Sequence, residues 1–365
     1  MIRFVLTGGH LTPALALIEE LKNNQKVEFV FFGRQYSTEG SKNQSAEYQI
    51  ITKRKIKFHS ISAGRFQRRF TRYTIPSLLK IPLGFLQAFF WLVVVRPKLI
   101  VSFGGYISAP VVFAGWLLGI DSITHEQAAI PGLATKINSL FVKKIFLSWS
   151  QSLSYFNNAK SEVIGNLSRK SFFSSKVVSK SIAKFLKTTK GIILITGGNQ
   201  GSHFLNRITF ELVKSVGDLA ALHQVGTANW RDDQKIAKSI KLKNYLAVDY
   251  IDPQDFGAVL KGVFLVISRA GANTVWDLAI AKKPAILVPL PISASGEQTA
   301  NADILKKAGM ARITLQKDLT LPKLKLEIRK MLGEIESYRE AAAAFYQKLP
   351  RDATNKLTKY ILSYT

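Results

Sequence analysis

The segment 264–301 constrains the fold more than any other stretch, because it places a glycine turn between a strand pattern and a helix pattern. The patterns predict a strand, a turn, a helix, a second strand and a polar loop ending at Gln298, at 264–268, 269–271, 274–281, 285–288 and 289–298. Free amides and the positive end of a helix dipole meet at such a turn and can hold an anion or a nucleotide. An ordinary βαβ unit with a capping turn is the alternative.

Similar junctions occur elsewhere in the chain. They join 2–6 to the turn 7–10, 192–195 to the turn 196–201, and 99–103 to 104–106. Pro13 is expected to open a helix through Leu21, and another helix is expected from about His203. Glycine is the residue that tight turns favour. The repetition predicts two similar domains of the nucleotide-binding type.

Length and pattern predict two α/β domains. At 365 residues the chain is long for one core, and its 47% hydrophobic residues can bury substantial cores. Alternating strands and helices favour parallel sheets with helices on both faces. We expect a first domain at 1–164, a second at 165–349, and a C-terminal helix at about 350–365 that packs back on the first. The predicted strands are 2–6, 27–32, 57–61, 99–103, 121–124, 144–148, 192–195, 220–224, 245–248, 264–268 and 285–288.

The net charge of +27 is unevenly distributed. Between Glu47 and Asp121 there are eleven Lys or Arg and no acidic residue. A one-sided positive field attracts a polyanion or an anionic membrane surface. Nucleic acid is disfavoured as the partner, because no helix-turn-helix, zinc-finger or RNA-recognition pattern is present.

The segment 64–95 has the composition of a membrane-surface contact, with basic residues followed by aliphatic and aromatic ones. We expect 64–82 to touch lipid, whereas 83–95 has the alternative of a helix packed on the sheet. A transmembrane span is not expected, because the thirteen residues 83–95 fall short of the roughly 20 that a span needs. The residues concerned are Arg65, Arg68, Arg69, Arg72, Ile75, Leu78, Leu79, Ile81, Leu83, Phe85, Leu86, Phe89, Phe90 and Trp91.

Several chemistries are disfavoured by what the sequence lacks. Without cysteine there is no disulfide and no thiolate ligand. Neither GxGxxG nor a P-loop pattern occurs, which disfavours nicotinamide, flavin and P-loop enzymes. The five histidines lack metal-ligand spacing, and Asp232-Asp233 is interpreted as solvated surface rather than a metal clamp. A bound diphosphate would then be met by glycine-loop amides, helix N-termini and an arginine; Arg169 is the candidate, with a solvated surface residue as its alternative.

Two histidines follow predicted strand ends. His10 comes after the first glycine turn and could serve as a general base, since an ordinary imidazole titrates near neutrality. A helix-capping or structural histidine is the alternative. His125, Glu126 and Gln127 follow the strand 121–124 at its carboxyl end, where doubly wound sheets hold their ligands. A hydrogen-bonded loop network is the alternative there.

An ordered set of motifs extends over about 1–315. The motifs are Thr7-Gly8-Gly9-His10-x-x-Pro13, Gly104-Gly105-Tyr106, His125-Glu126-Gln127, Gly165-Asn166-x-x-Arg169, Gly197-Gly198-x-Gln200-Gly201-Ser202, Arg269-x-Gly271-Ala272-x-Thr274-Val275 and Gln298-Thr299-Ala300-Asn301-Ala302. Each is weak alone, but their order and intervals are specific. Together they resemble the MurG family of UDP-N-acetylglucosamine transferases.

The resemblance implies a GT-B fold, in which two Rossmann-like, doubly wound parallel-sheet domains face a central cleft. It implies inverting, metal-independent transfer of GlcNAc from UDP-GlcNAc to the C4 hydroxyl of MurNAc in lipid I (undecaprenyl-pyrophosphoryl-MurNAc-pentapeptide), which forms lipid II. The first domain would bind acceptor and membrane, and the second would bind UDP-GlcNAc. The implied partners are these two substrates and an anionic membrane surface at the cytoplasmic face of the inner membrane; no cofactor is implied.

By motif position, the resemblance implies roles for individual residues. His10 would be the catalytic base, Arg169 would meet the diphosphate and Ile251 would offer its backbone to uracil. Asp277 would bind the ribose and Gln298 the GlcNAc hydroxyls. The UDP-GlcNAc site would comprise Thr7, Gly8, Gly9, Ala128, Arg169, Asn199, Ile251, Gly271, Ala272, Asn273, Thr274, Val275, Asp277 and Gln298. The acceptor site would comprise Gly104, Gly105, Tyr106, His125 and Glu126.

The chain departs from the family pattern at four places. The first glycine loop is shorter than the usual GGGTGGH, and Ala128 stands where Asn is usual. Asn199 replaces a usual Ser, and Asp277 replaces a usual Glu. These departures keep two alternatives open: a related GT-B transferase with another lipid acceptor, and a non-catalytic UDP-sugar-binding protein.

Overall fold

The chain forms two compact units, Met1–Arg169 with Pro350–Thr365, and Lys170–Leu349. The computed structural model describes residues 1–36, 44–62, 64, 74–216, 219–293 and 296–365. Residues 165–169, which the sequence places in the second domain, lie with the first unit. Leu167 packs into the core of that unit, and Ser168 exchanges hydrogen bonds with Thr354 at 3.2 and 3.1 Å.

The first unit is built on a parallel sheet whose described strands run in the order β3-β2-β1-β4-β5-β6-β7. The strands are β1 (Ile2–Thr7), β2 (Val27–Gly33), β3 (Lys57–Ser60), β4 (Leu99–Ser102), β5 (Ser122–Glu126), β6 (Lys144–Leu147) and β7 (Ser161–Val163). The helices are α1 (Leu11–Leu21), α2 (Ala46–Lys53), α3 (Thr74–Val95), α4 (Ser108–Leu117) and α5 (Leu133–Asn138), together with the C-terminal helix Ala353–Leu362.

The alternation of β1 shows why both faces of this sheet are covered. Phe4 and Leu6 pack into one core with α1 and the C-terminal helix. Val5 points to the opposite core, which includes residues of α3 and α4. Because successive side chains of a strand point to opposite faces, a continuous apolar run is what a doubly covered parallel strand requires.

The second unit has a parallel sheet in the order β10-β9-β8-β11-β12-β13. Its strands are β8 (Ile193–Thr196), β9 (Ala221–Gln224), β10 (Tyr245–Val248), β11 (Leu265–Ser268), β12 (Ala285–Leu287) and β13 (Ala311–Ile313). Its helices are α6 (Lys180–Thr188), α7 (His203–Ser215), α8 (Asp233–Ser239), α9 (Pro253–Gly262), α10 (Ala272–Ile280), α11 (Glu297–Lys307), α12 (Leu321–Gly333) and α13 (Ile335–Lys348). Ile193, Ile195 and Ile267 share a core with residues of α7 and α12.

These two sheets confirm the predicted α/β class, and each predicted strand is present. Strands β7 and β13 are not predicted, because Ser-Glu-Val and Ala-Arg-Ile are too short and too polar to carry a strand pattern. Some helix starts differ as well. Helix α1 begins at Leu11 rather than at Pro13, and α10 begins at Ala272. Gln298 lies in the first turn of α11 rather than in a loop.

Helix α3 buries one face and exposes the other. Ala88 and Leu92 are fully buried, whereas Leu86 is 61% and Phe90 58% exposed. The interpretation of 83–95 as a helix packed on the sheet therefore holds for one face only. Among the described residues, no helix combines the length and the apolar character that crossing a membrane requires. Arg65, Arg68, Arg69 and Arg72 of the predicted lipid contact lie outside the described residues.

Candidate functional site

Each sheet has one place where the strand order reverses. In the first unit the chain moves outward from β1 through β2 to β3 and then returns to β4, so the reversal lies between β1 and β4. In the second unit the same reversal lies between β8 and β11. Open α/β sheets bind ligands at the carboxyl ends of the strands beside such a reversal. All the predicted glycine turns follow these four strands.

The two glycine turns of the first unit are packed against each other. The Gly9 N–H donates to the Gly104 carbonyl oxygen at 3.0 Å. A Cβ on Gly8 would lie 2.6 Å from that same oxygen, and a Cβ on Gly105 would lie 2.6 Å from the Gly9 nitrogen. Gly8 and Gly105 also have φ angles of +133° and +78°, which side chains disfavour. The turns therefore depend on glycine for both conformation and space.

The close glycine contact of the second unit lies between the turn after β8 and the loop after β9. β8 and β11 are neighbours, and the turn 197–201 that follows β8 lies beside the turn 269–271 that follows β11. Gly201 has a φ of +83°, and a Cβ there would collide with the Val225 carbonyl oxygen. Gly271 is the N-cap of α10 and has no side chain to accept from the first-turn amides. This leaves the amides of Ala272 and Thr274 in a position that suits an anion.

His10 is the N-cap residue of α1, but its side chain makes no capping hydrogen bond. Burial lowers the pKa of its imidazole from the usual value, and the negative charge of Glu126 opposes that shift. His10 also lies beside Gly104, since a Cβ on that glycine would be 3.9 Å from His10 Cδ2. The helix-capping alternative is therefore not supported by the contacts of His10. A neutral imidazole is the form that accepts a proton.

His125 is a hydrogen-bonded part of the loop framework. Its Nε2 lies 2.9 Å from the Gly165 carbonyl oxygen, so Nε2 carries the hydrogen and donates. Nδ1 accepts from the side-chain Nε2 of Gln127 at 2.9 Å. Burial lowers the pKa of His125 to about 4, so the ring is neutral near pH 7. Both ring nitrogens are committed, which favours the loop-network interpretation over direct ligand contact.

Glu126 folds the loop that follows β5. Its carboxylate accepts the N–H groups of Gln127 at 2.9 Å, Ala128 at 3.0 Å and Gly132 at 3.2 Å. The Ala128 carbonyl accepts the Ser152 hydroxyl at 2.8 Å. The backbone groups of Ala128 are thus used inside the first unit. Its contact with UDP-GlcNAc remains a prediction.

Three further predicted residues of the first unit, Thr7, Tyr106 and Arg169, differ in burial. Thr7 is fully buried at the end of β1, and its Oγ1 has no hydrogen-bond partner among the described residues. Tyr106 is half-buried and packs against the core that contains Val5. Arg169 is the half-buried last residue of the unit before the crossing.

In the second unit, Gln224 connects two predicted site segments. Its Nε2 donates to the Gly198 carbonyl oxygen at 2.9 Å, and its Oε1 accepts the Ile251 N–H at 3.2 Å. The glycine turn and the backbone of Ile251 are therefore held by one amide side chain. Asn199, on the same turn, is exposed. The sequence does not single out Gln224, because a glutamine at a strand end has no motif of its own.

Gln298 connects the loop after β12 to the turn after β11. Its Oε1 accepts the Ala270 N–H at 3.2 Å and the Leu290 N–H at 3.0 Å. Of the other predicted residues, Val275 is fully buried. Asn273 and Asp277 are half-buried on α10.

Arg269 begins one of the sequence motifs, but its role appears only in the structure. Its guanidinium donates to Ser202 Oγ at 2.8 Å, to Gln316 Oε1 at 2.6 Å and to the Val288 carbonyl oxygen at 3.1 Å. Burial lowers its pKa to about 10, so it remains charged near neutral pH. All of these acceptors are neutral. Arg269 begins the turn 269–271 and bonds to Ser202 directly after the turn 197–201, so a buried positive charge lies next to both glycine turns.

The structure thus gathers most of the predicted residues in two places, one in each unit, whereas Arg169 ends the first segment of the first unit. Thr7 to His10, Gly104 to Tyr106, and His125 and Glu126 lie at the carboxyl edge of the first sheet. Asn199, Ile251, Gly271 to Asp277 and Gln298 lie at the carboxyl edge of the second sheet.

Comparisons with known proteins point to one family. Residues 6–147 match the glycosyltransferase family 28 N-terminal domain, and 192–357 match the glycosyltransferase family 28 C-terminal domain. The chain is 33% identical over 338 residues to a UDP-N-acetylglucosamine–N-acetylmuramyl-(pentapeptide) pyrophosphoryl-undecaprenol N-acetylglucosamine transferase of Treponema denticola, covering 90% of this chain and 86% of that one. A protein of the same name from Clostridium kluyveri is 30% identical, with both chains covered in full.

A solved structure shares the fold. The crystal structure of MurG from Acinetobacter baumannii superposes with a TM-score of 0.71 at 23% identity, and the match covers 100% of both chains.

We predict that His10 titrates below an ordinary imidazole, because burial disfavours its charged form. The imidazole proton resonances should be followed by NMR from pH 4 to 8, with His10→Gln used to assign the signal. Glu126→Gln should lower the pKa of His10 further, since the Glu126 charge favours the imidazolium. A titration at or above the usual 6.5 would contradict the prediction.

Proposed function

This chain belongs to the MurG family of glycosyltransferases, and we propose that it transfers GlcNAc from UDP-GlcNAc to the C4 hydroxyl of MurNAc in lipid I, forming lipid II for peptidoglycan. The observation that carries this proposal is the pair of glycine turns beside β8 and β11, backed by the Arg269 charge. That arrangement suits a nucleoside diphosphate, and the named activity of the relatives supplies its identity.

Diphosphate charge would be met by backbone amides and fixed cations. The turn 197–201 and the first turn of α10 supply N–H groups and the positive end of a helix dipole. Arg269 adds a full charge from behind the turns, and Arg169 is the candidate for direct contact. Preorganised donors of this kind stabilise the charge that develops on a leaving group. We therefore propose a metal-independent transfer.

The contacts that we propose for Ile251 and Gln298 with UDP-GlcNAc follow from the hydrogen bonds that these residues already make within the protein. The Ile251 N–H is held by Gln224, so uracil would donate its N3–H to the Ile251 carbonyl. The Gln298 Oε1 is held by two amides, so its Nε2 would donate to a GlcNAc hydroxyl. Asp277 on α10 would accept from the ribose hydroxyls. Ile251 would thus use its carbonyl and Gln298 its Nε2, because the Ile251 N–H and the Gln298 Oε1 are already hydrogen-bonded within the protein.

The chemical step needs a base for the acceptor. His10 in its neutral form would take the proton of the C4 hydroxyl, and that oxygen would form the new bond to the anomeric carbon. The bond from the anomeric carbon to the diphosphate breaks, and UDP leaves with the electron pair. Attack opposite the leaving group inverts the configuration. Gly104 and Gly105 would receive the acceptor pyrophosphate, while His125 and Glu126 hold the loops around them.

The acceptor has a polyprenyl chain, so the protein would work at a membrane surface. The exposed side of α3 presents Leu83, Leu86, Phe90 and Val94 at helical spacing, with exposed fractions of 47, 61, 58 and 53%. Helix α4 packs against α3 and exposes 51% of Trp116. We name these five side chains the apolar face. Exposed apolar area flanked by basic residues favours adsorption to anionic lipid, which supports a peripheral location at a membrane. The cytoplasmic face of the inner membrane is the location that we propose.

We predict that transfer from radiolabelled UDP-GlcNAc to a short-chain lipid I analogue proceeds in EDTA. His10→Gln should slow it by about 10²–10⁴-fold, the usual contribution of a general base, while UDP binding is retained. The rate of the wild type should fall as pH drops through the lowered pKa of His10, because protonation removes the base.

His59→Gln is the matched control, since His59 stacks on Trp91 and has no proposed part in the reaction. A rate that EDTA abolishes contradicts the metal-independent step. UDP-GlcNAc binding without any product points instead to another lipid acceptor or to a protein that binds UDP-sugars without turnover.

We predict that Leu86→Ser, Phe90→Ser and Val94→Ser together weaken co-sedimentation with phosphatidylglycerol vesicles by about tenfold or more, because apolar area drives the insertion. Leu326→Ser with Leu332→Ser is the control, since both residues are exposed apolar positions of α12 in the second unit. Equal vesicle binding by the two variants would contradict the assignment of the apolar face.

A further inference from the structure

The loop between β9 and α8 supports the glycine turn 197–201. Thr227 donates to the Asn199 carbonyl oxygen from its N–H at 3.0 Å and from its Oγ1 at 3.2 Å. The Ala228 N–H donates to the Gln200 carbonyl oxygen at 3.3 Å. Gly201 and Gly226 are so close that a Cβ on either would collide with the backbone of the other segment. The position of the turn therefore depends on this loop.

The same loop contains an unusual amount of backbone strain. Asn229, Arg231 and Asp232 have φ angles of 42°, 49° and 60°, and none is glycine. Left-handed conformations of this kind cost about 1–3 kcal/mol each and persist only where the surroundings enforce them. The strained residues lie between the part that touches the turn and the first residue of α8. Something at α8 must hold the loop in place.

Asp233 is that anchor. It is the first residue of α8 and is fully buried, although the sequence predicts a solvated position. Its carboxylate accepts from His203 Nδ1 at 2.9 and 3.0 Å and from Asn206 Nδ2 at 2.8 Å. A buried carboxylate is tolerated only when donors compensate for its lost hydration. Both donors come from α7, the helix that starts directly after the glycine turn.

These contacts connect the turn, α7, Asp233 and the loop before Asp233 in a continuous series that returns to the turn. The turn leads through Ser202 into His203, His203 bonds to Asp233, and the loop before Asp233 returns to the Asn199 carbonyl. Arg269 holds Ser202 on the other side at 2.8 Å.

We propose that His203 and Asp233 are positioning residues for the donor diphosphate. Their hydrogen bond keeps the strained loop pressed on the turn 197–201, so that the turn's amides stay aimed at the phosphates before the ligand arrives. The inference rests on the proposed function, since it assigns these residues to the UDP site. Neither side chain touches the ligand; both act through the backbone of Asn199 and Gln200.

The test compares Asp233→Asn, His203→Ala, the double variant and His203→Gln. Asp233→Asn should raise the Kd for UDP and the KM for UDP-GlcNAc about tenfold, as expected for one coupled contact, with kcat and the acceptor KM little changed. His203→Ala should do the same, and the double variant should be no worse than either single one. His203→Gln keeps a donor for Asp233 and should restore most of the affinity.

Glu336→Gln removes an exposed ion pair with Arg339 in the same unit and serves as the control. Calorimetry of UDP with the wild type comes first, because its failure would overturn the proposed function and this inference with it. Normal UDP affinity in the wild type, His203→Ala and Asp233→Asn alike would overturn the inference alone. Equal losses in kcat and in both KM values would also overturn it, since they indicate a general structural role. If Asp233→Asn does not fold, the two His203 variants decide the outcome, because His203 is 27% exposed.

Discussion

Glycine backbones approach each other closely at the carboxyl ends of the strands, and this packing sets the geometry of the candidate site. A Cβ on Gly8 or Gly105 would collide with the backbone of the opposing turn, and a Cβ on Gly201 or Gly226 would collide with the backbone of the other segment. Such contacts bring backbone amides to the sheet edge without filling the space with side chains. A ligand whose charge is spread over phosphate oxygens is the one that this surface suits.

Around these turns, the polar residues act mainly on one another. His125 uses both ring nitrogens inside the first unit, and Glu126 uses its carboxylate to close a loop. Gln224 and Arg269 hold the turns of the second unit in the same manner. Removing any one partner would leave a buried group unsatisfied, which is costly and displaces the turn beside it. Hydrogen bonds among the protein's own residues therefore set the geometry of the candidate site.

The sequence was sufficient to predict the fold class and most strands, because apolar runs that end in glycine turns and lead into helices are typical of parallel α/β sheets. Strands β7 and β13 were not predicted, because Ser-Glu-Val and Ala-Arg-Ile are short and contain polar residues, whereas the equally short β12 is wholly apolar. The predicted site residues do lie at the strand ends, where topology rather than local pattern brings them together. Asp233 could not be recognised, because its burial depends on His203 and Asn206 thirty and twenty-seven positions away. Gln224 and the contacts of Arg269 could not be predicted for the same reason: the partners are distant in sequence.

Hydrogen exchange of the backbone amides, measured with and without UDP in the presence of EDTA, shows whether the two turns hold the diphosphate. We predict slower exchange in peptides that cover 197–203 and 270–276, with little change in α12 and α13, because the amides of those two turns would hold the diphosphate. Protection that is absent from both turns, or that requires an added divalent metal, would contradict it.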